Sequence, residues 1–404
     1  MKRLVLAGAG HAHAEVLRDW CTGPPEGVEL VVVSPERFAP YSGMTPGWLA
    51  GLYRFDEIAI DFAGLCAAAG ARWIEAELDA LDPARRRLRL SDGEWLGYDL
   101  LSLNVGSTLR PPQDAGATLL PLRPLSGLQA RYDAVLASWC SDPSDGPFTV
   151  VAVGGGAAGF ESLLAVLQRL RRLRPDRRVH GALVHNGMTL LPELSAPARR
   201  AAERALARSG VTVQLGSAWC DAVGRSGDLV LWATGAEAHD WQRDPLRRGA
   251  LAVSRGGFVR IDAALRSVSH PEVFAVGDCA HWDASAEGLP KSGVVAVRMG
   301  PVLSRNLRAA LGALGRGERD GHGPDNNAHA YRPQRRFLVL LGTGDRRAIA
   351  SRGAFGTSGA WVWAWKEWLD RRFLGRYARL PPARKLSPTA DPGHRPADPV
   401  HPKE

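Results

Sequence analysis

The chain is poor in cysteine. Five occur in 404 residues, at positions 21, 66, 140, 220 and 279, and no two form a C-x-x-C pair. That scatter excludes a paired-thiol redox centre and a cysteine-based zinc site, and an odd set points to a reducing compartment. Long hydrophobic runs are also missing: none approaches the roughly 20 residues that cross a bilayer. The start, Met1-Lys2-Arg3 before Leu4-Val5-Leu6-Ala7, faintly imitates a signal peptide. The apolar stretch is too short, however, and runs into glycines rather than a cleavage site, so the sequence predicts a cytoplasmic chain without a targeting segment. A recognition motif for nucleic acid is absent too, although the net charge is +9. The positive excess reads as a solvated surface, or as attraction to an anionic cofactor or an anionic membrane face. What is present is ordinary globular material: 45% hydrophobic and 23% charged residues, in a length that suits two or three domains.

Residues 3–7 (RLVLA) read as a short buried strand, followed by the turn Gly8-Ala9-Gly10 and a helical pattern from about His11 to Trp20. Residues 28–33 (VELVVV) form a second apolar strand. This strand–turn–helix–strand unit opens a parallel α/β sheet. Residues 148–153 (FTVVAV) start the pattern again, lead into Gly154-Gly155-Gly156-Ala157-Ala158-Gly159, and continue as a helix through Leu173 and a strand at 180–184. The chain therefore repeats a dinucleotide-type unit. Further strands end before Asn104-Val105-Gly106-Ser107, before Ala233-Thr234-Gly235 and before Gly277-Asp278. Residues 312–334 are polar and Gly-rich and are expected to form a linker or exposed loop. Residues 337–380 carry a strand pair and a Trp-rich helix, and the proline-rich stretch 386–404 is expected to be disordered.

The second glycine cluster is complete. Gly154, Gly156 and Gly159 give G-x-G-x-x-G between a strand and a helix: a tight turn, a close approach to pyrophosphate, and helix-on-strand contact. Phosphate then meets free N–H groups from Ala157 onward, at the positive end of the helix. The alternative is a Gly-rich turn in a vestigial unit. The first cluster is incomplete. Gly8 and Gly10 fit, but His13 stands at the third position, and a looser helix contact is expected there. His11 and His13 lack accompanying acids or cysteines, so packing beside a cofactor or acceptor is the reading and no metal site is expected. After the second strand of the first unit, Ser34-Pro35-Glu36 makes Glu36 the candidate ribose acid. The second unit has His185-Asn186 there and no acid, which tolerates a 2′-phosphate; NADPH stands beside NADH.

Together these motifs resemble the pyridine nucleotide-disulfide oxidoreductases over about residues 1–380. Within that superfamily the chain is most similar to the type II NADH dehydrogenase-like branch. Closer still, Gly10-His11-Ala12-His13, Pro40-Tyr41-Ser42-Gly43-Met44, Ala296-Val297-Arg298-Met299-Gly300-Pro301 and the segment from Trp365 to Phe373 resemble the oxidoreductase associated with selenide, water dikinase. No dikinase domain is present.

The resemblance implies an α/β protein with two Rossmann-like three-layer domains and a small C-terminal region. An FAD-binding domain would come in two pieces, 1–115 and 251–330, around an NAD(P)H-binding domain at 116–250. Residues 331–385 would form the C-terminal region. FAD would lie against Gly8, Gly10, His11, Ala12, Ser34, Glu36, Ser42, Gly43, Asn104, Gly106, Gly277, Asp278, Gly293 and Val294. NADH or NADPH would lie against Gly154, Gly156, Ala157, Gly159 and Gly235, with Glu161 near the nicotinamide. Lys291, before the helix that opens at Gly293, would stabilise negative charge on the reduced flavin. Electrons would pass to a small-molecule acceptor, for which the related branch uses quinone; where that branch places glutamines, this chain has Val294 and Arg298. An alternative is an FAD-bearing partner that docks on a selenium-metabolism protein with little turnover of its own. The helix from Trp361 to Phe373 is expected to pack on the protein, to form a homodimer contact, or to touch the inner face of a membrane.

Overall fold

The computed structural model describes residues 1–112, 117–219, 227–285, 288–316, 328–334 and 336–379. The 386–404 stretch lies outside the described residues.

Strand β1 (Lys2–Ala7) is buried along its last four residues, as expected of an apolar run covered on both faces. It leads through Gly8 into α1 (His11–Thr22), then β2 (Val28–Ser34), β3 (Arg72–Glu75) and β4 (Leu100–Leu103). A second set follows: β5 (Thr118–Pro121), α2 (Leu128–Ser141), β6 (Phe148–Val153), α3 (Ala157–Leu173), β7 (Val179–His185), β8 (Val211–Leu215) and β9 (Leu229–Trp232). The chain then returns with β10 (Val273–Ala275) and the long α4 (Gly293–Gly315). Three antiparallel strands, β11 (Val339–Gly342), β12 (Ala348–Arg352) and β13 (Phe355–Gly359), precede α5 (Ala360–Ala378).

Two parallel five-stranded sheets result. The first runs β10-β4-β1-β2-β3 and the second β5-β9-β6-β7-β8. Register in the first pairs Leu4 with Leu30 and with Leu100, so three apolar strands stack their side chains in line. Both sheets reverse strand order beside the strand that carries the glycine turn. That reversal opens a crevice at the carboxyl ends, where α/β proteins bind ligands. Each sheet has its own core: Leu4, Val31, Leu101 and Phe274 in one, Val150, Phe160, Leu183 and Leu229 in the other.

Two expectations change. Residues 312–315 are not linker, because α4 continues through Gly315. Its apolar face buries Leu303, Leu307, Ala310 and Leu311, which extends the helix past the first glycine. The strand pair expected after residue 337 gains a third member, β13, which pairs along β12 from Ala348↔Gly359 to Arg352↔Phe355.

Candidate active site

In the second unit α3 starts at Ala157 with Gly156 before it and no side chain capping the helix. The first-turn N–H groups of Ala157, Ala158 and Gly159 have no protein acceptor among the described residues. Gly154 has φ +124°, and a Cβ on it would lie 2.2 Å from the Ala233 carbonyl oxygen. A Cβ on Gly159 would lie 2.0 Å from the Gly154 oxygen, so this glycine lets the helix sit on the turn. Gly156 and Gly235 face open space. The combination of open room and unspent donors fits a pyrophosphate. Beyond β7 the His185 ring lies over Gly155 and Gly187, with no carboxylate at that position.

The first unit is built differently. A Cβ on Gly8, at φ +101°, would meet the Asn104 carbonyl oxygen at 2.4 Å. The Asn104 side chain enters the mouth of α1: the N–H groups of Ala12 and His13 donate to its Oδ1 at 3.1 and 3.4 Å. Its Nδ2 donates to the Val276 carbonyl at 3.0 Å. One buried amide thus joins the ends of β4 and β10 to the start of α1. His13 does not loosen the helix as expected. It is fully buried, with Nδ1 2.8 Å from the Gly8 carbonyl and Nε2 2.8 Å from Ser102 Oγ. A carbonyl only accepts, so Nδ1 carries the proton and Nε2 accepts from Ser102. Burial pulls His13 down to about 4, which keeps the ring neutral. Imidazole hydrogen bonds replace the close backbone contact that a glycine would make.

Glu36 follows β2, and its Oε1 accepts from the Gly127 N–H at the start of α2. Ser34 is buried at the strand end. Asp278 accepts from Ser107 Oγ at 3.3 Å and from Arg123, which reaches in from the connection after β5. Arg123 also donates to the Lys291 carbonyl at 3.2 Å. The Lys291 ammonium turns away toward the Ala280 carbonyl and sits 3.7 Å from the centre of the Phe258 ring, and burial pulls it down to about 8. Gly106 has φ +72° with open space around it. Gly293 approaches Ser42, since a Cβ there would meet Ser42 Oγ at 2.5 Å; Val294 is exposed.

Helix α5 packs on both cores, with Phe373 and Tyr377 in the first and Val362 and Trp363 in the second. Its buried face carries Trp363, Lys366, Asp370, Phe373 and Tyr377, at helical spacing. Lys366 Nζ donates to the Gly43 carbonyl and to Asp370 Oδ2, the latter at 2.6 Å. Glu161 Oε1 accepts from the Gly342 N–H at 2.6 Å; burial pushes Glu161 up to about 7, against the nearby Lys366. The Phe373 ring lies 4.5 Å from Tyr41 and 6.2 Å from His11, itself pulled down to about 4 by burial. Tyr377 OH donates to Glu15 on α1 at 3.2 Å. The opposite face exposes Trp361, Trp365 and Trp368, the first 57% exposed and stacked on the second.

The structure brings Asp278, Ser42, Gly43, Gly293 and His11 to one region and Glu161 to its border through Lys366. Glu36 and Lys291 lie at its edges, each on another partner. Sequence reasoning missed Arg123, a lone arginine with no local pattern, and the capping role of Asn104. Lys366 and Asp370 had a signal, an i,i+4 pair of opposite charge inside an apolar face. Among the described residues no cluster of His, Cys, Asp or Glu could hold a metal ion, and no helix is long and apolar enough to cross a membrane.

A family model described as "Pyridine nucleotide-disulphide oxidoreductase" matches residues 2–300. A biphenyl dioxygenase system ferredoxin--NAD(+) reductase component of Paraburkholderia xenovorans is 33% identical over 224 residues, 51% of this chain and 49% of that protein. A NADH dehydrogenase-like protein of Mycobacterium tuberculosis is 28% identical over 311 residues, 69% of this chain and 73% of that one. The solved structure of NDH2 from Plasmodium falciparum in complex with NADH covers 95% of this chain and 100% of its own, with TM-score 0.70 and 12% identity, which shows a shared fold. The chain spans less than half the length of several curated relatives, 19%, 49% and 40% of three of them.

Proposed function

The chain belongs to the pyridine nucleotide-disulphide oxidoreductase family, whose members use FAD and NAD(P)H, and from that premise we propose that it is an FAD-dependent NAD(P)H oxidoreductase. One observation carries the reading most: two sheets of matching topology each lead through a glycine turn into a helix, and α5 reaches the start of both helices, with Phe373 against His11 of α1 and Lys366 beside Glu161 of α3. The second offers open room and unspent donors for a pyrophosphate; the first, whose Ala12 and His13 donors are taken by Asn104, offers the acid Glu36 for a ribose hydroxyl.

FAD, when bound, supplies hydride acceptance and onward electron release. The chain's residues do the rest. Gly8 and Gly10 let Asn104 seat against the turn beside which the FAD pyrophosphate would lie, and Glu36 would exchange the Gly127 N–H for a ribose hydroxyl. Asp278, held by Arg123 and Ser107, presents its carboxylate to the sugar chain of the cofactor. Gly154, Gly156, Ala157 and Gly159 take the nicotinamide dinucleotide, NADH or NADPH. The ring edge of Tyr41, braced by Phe373, excludes water. Glu161, neutral or ionised near pH 7, holds or yields a proton beside Gly342. Lys366 fixes the Gly43 turn, and positioning of the two cofactors would supply most of the rate.

The finer grouping with the oxidoreductase associated with selenide, water dikinase is part of the proposal. Its support is convergence: His11, Tyr41 and Phe373 come from three of the four similar segments and meet ring to ring. Peripheral contact with a membrane through α5 is supported by the exposed Trp361, Trp365 and Trp368 beside Arg372.

Anaerobic titration of the purified protein with NADH, then NADPH, tests the function. Absorbance near about 370 and 450 nm that bleaches with one nucleotide is the expected result and identifies the donor. Bands that persist with both nucleotides overturn the reductase and favour the docking partner.

A further inference from the structure

A cavity of about 420 Å³ lies between α4, the Tyr331–Arg332 stretch and α5. Its walls are Val297, Pro301, Val302 and Tyr331; its charged groups are Arg298, Arg332 and Arg376. Among the described residues no carboxylate lines it. Among the described residues no side-chain hydrogen bond or ion pair holds any of the three guanidinium groups; Arg376 rests over the Phe373 ring near Tyr41 and Tyr377, and Arg298 lies near Tyr331. Arg308, further along α4, is by contrast paired, with Asp19 and the Gly23 carbonyl. Three exposed like charges around one concavity make the local potential positive, which favours an anion. Guanidinium groups match carboxylate, sulfonate or phosphate oxygens in a two-pronged fashion, and the apolar wall suits a ring. The volume lies in the range of small-molecule sites.

We infer that this cavity binds an apolar ring system carrying two or more negative charges, and that this ligand is the electron acceptor of the proposed reaction. The second half rests on the proposed function. Its support is position. Met299, on the cavity's own helix, accepts the Gly277 N–H through its sulfur at 3.3 Å. Phe373, one turn before Arg376, packs on Tyr41. The cavity and the flavin region therefore share both helices. For a quinone-type acceptor A, the balance is NAD(P)H + H⁺ + A → NAD(P)⁺ + AH₂: the nucleotide loses a hydride, and A gains two electrons and two protons. The arginines enter no bond that forms or breaks; they select the charge of A.

Isothermal titration of the FAD-loaded protein with naphthalene disulfonate, which has no redox chemistry under these conditions, reads the cavity by itself. Binding is expected, and the triple variant Arg298→Gln, Arg332→Gln, Arg376→Gln weakens it by about tenfold or more. The triple lysine variant, which keeps charge, retains most of it and controls for folding. Absence of binding to the natural protein, or equal binding by the glutamine variant, overturns the site. The acceptor assignment is read separately, from kcat/KM for naphthoquinone sulfonate divided by that for neutral naphthoquinone. That ratio falls about tenfold in the glutamine variant, through KM. An unchanged ratio with disulfonate binding intact overturns the acceptor assignment alone. Failure of NAD(P)H to reduce the flavin of the natural protein overturns the proposed function and leaves the titration result standing.

Discussion

The first and second dinucleotide units share a strand order around their glycine turns, yet they treat the mouth of the following helix in opposite ways. In the second, α3 begins after Gly154-Gly155-Gly156 with no side chain capping it, and its first N–H groups remain unspent. In the first, Asn104 already occupies the Ala12 and His13 donors, and His13 fills the place where a glycine would bring helix and turn together. A complete glycine fingerprint is thus one of two solutions to the same packing problem. The other uses an imidazole and an amide to carry the backbone contacts. It leaves the first helix mouth with its Ala12 and His13 donors paired and the second with its donors free.

The comparison breaks most sharply at Gly159. Gly159→Ala pushes a methyl into the Gly154 carbonyl, and flavin reduction by NAD(P)H is expected to slow by about 100-fold through misplacement. Stopped-flow reduction measures it, and retained flavin absorbance shows that the first unit is intact. In that unit, Asn104→Ala removes three hydrogen bonds and uncaps α1. A loss of about 2 kcal/mol in urea unfolding is expected, with weaker flavin retention.

Proton linkage sharpens the contrast, since the two regions answer pH with opposite sign. His13 is pulled below its ordinary value to about 4, so the unfolded chain binds the proton more readily. Its contribution is present above about pH 6.5 and is lost as pH falls toward 4. Glu161 is pushed up to about 7, so its contribution is present below the ordinary carboxylate value and is lost as pH rises toward 7. Glu161→Gln is expected to remove a slope of up to about 1.4 kcal/mol per pH unit across that window. Unfolding midpoints of variant and natural protein, measured from pH 4 to 8 (roughly the span of both windows), give the difference. A parallel pair of curves defeats the assignment. The smallest effect is expected on the solvent face of α5. Trp361→Ser and Trp368→Ser change stability by no more than about 0.5 kcal/mol, while co-sedimentation with anionic vesicles drops.

The repeated unit was legible in the sequence because apolar strands followed by glycine turns leave a local signature, and both sheets form where FTVVAV and RLVLA predict them. The family followed from the order of four such motifs. The junction was harder to read. Lys366 meets Gly43 across 323 positions, and Arg123 meets Asp278 across 155, so neither contact has a local pattern to betray it. His13 illustrates a different limit. A missing glycine suggested a weak contact, because the replacement's hydrogen-bonding partners, a turn carbonyl and a serine 89 positions away, appear only once the chain has folded. The end of α4 shows the same effect on a smaller scale, where burial of Leu307 and Leu311 outweighs the helix-breaking tendency of glycine.

The origin of the outermost strands separates the two sheets in time as well as in space. The second sheet takes its edge strand from Thr118–Pro121, just upstream of its other strands, so all of it has been synthesised once Trp232 has been made. The first takes its edge from Val273–Ala275, which pairs with Leu101–Leu103 only after the entire second sheet has been synthesised. At ribosomal speed that delay is roughly ten to thirty seconds. The nascent first unit spends this interval with β4 unpaired on one side, an exposed apolar edge of the kind that chaperones hold, while the second unit can already close on itself.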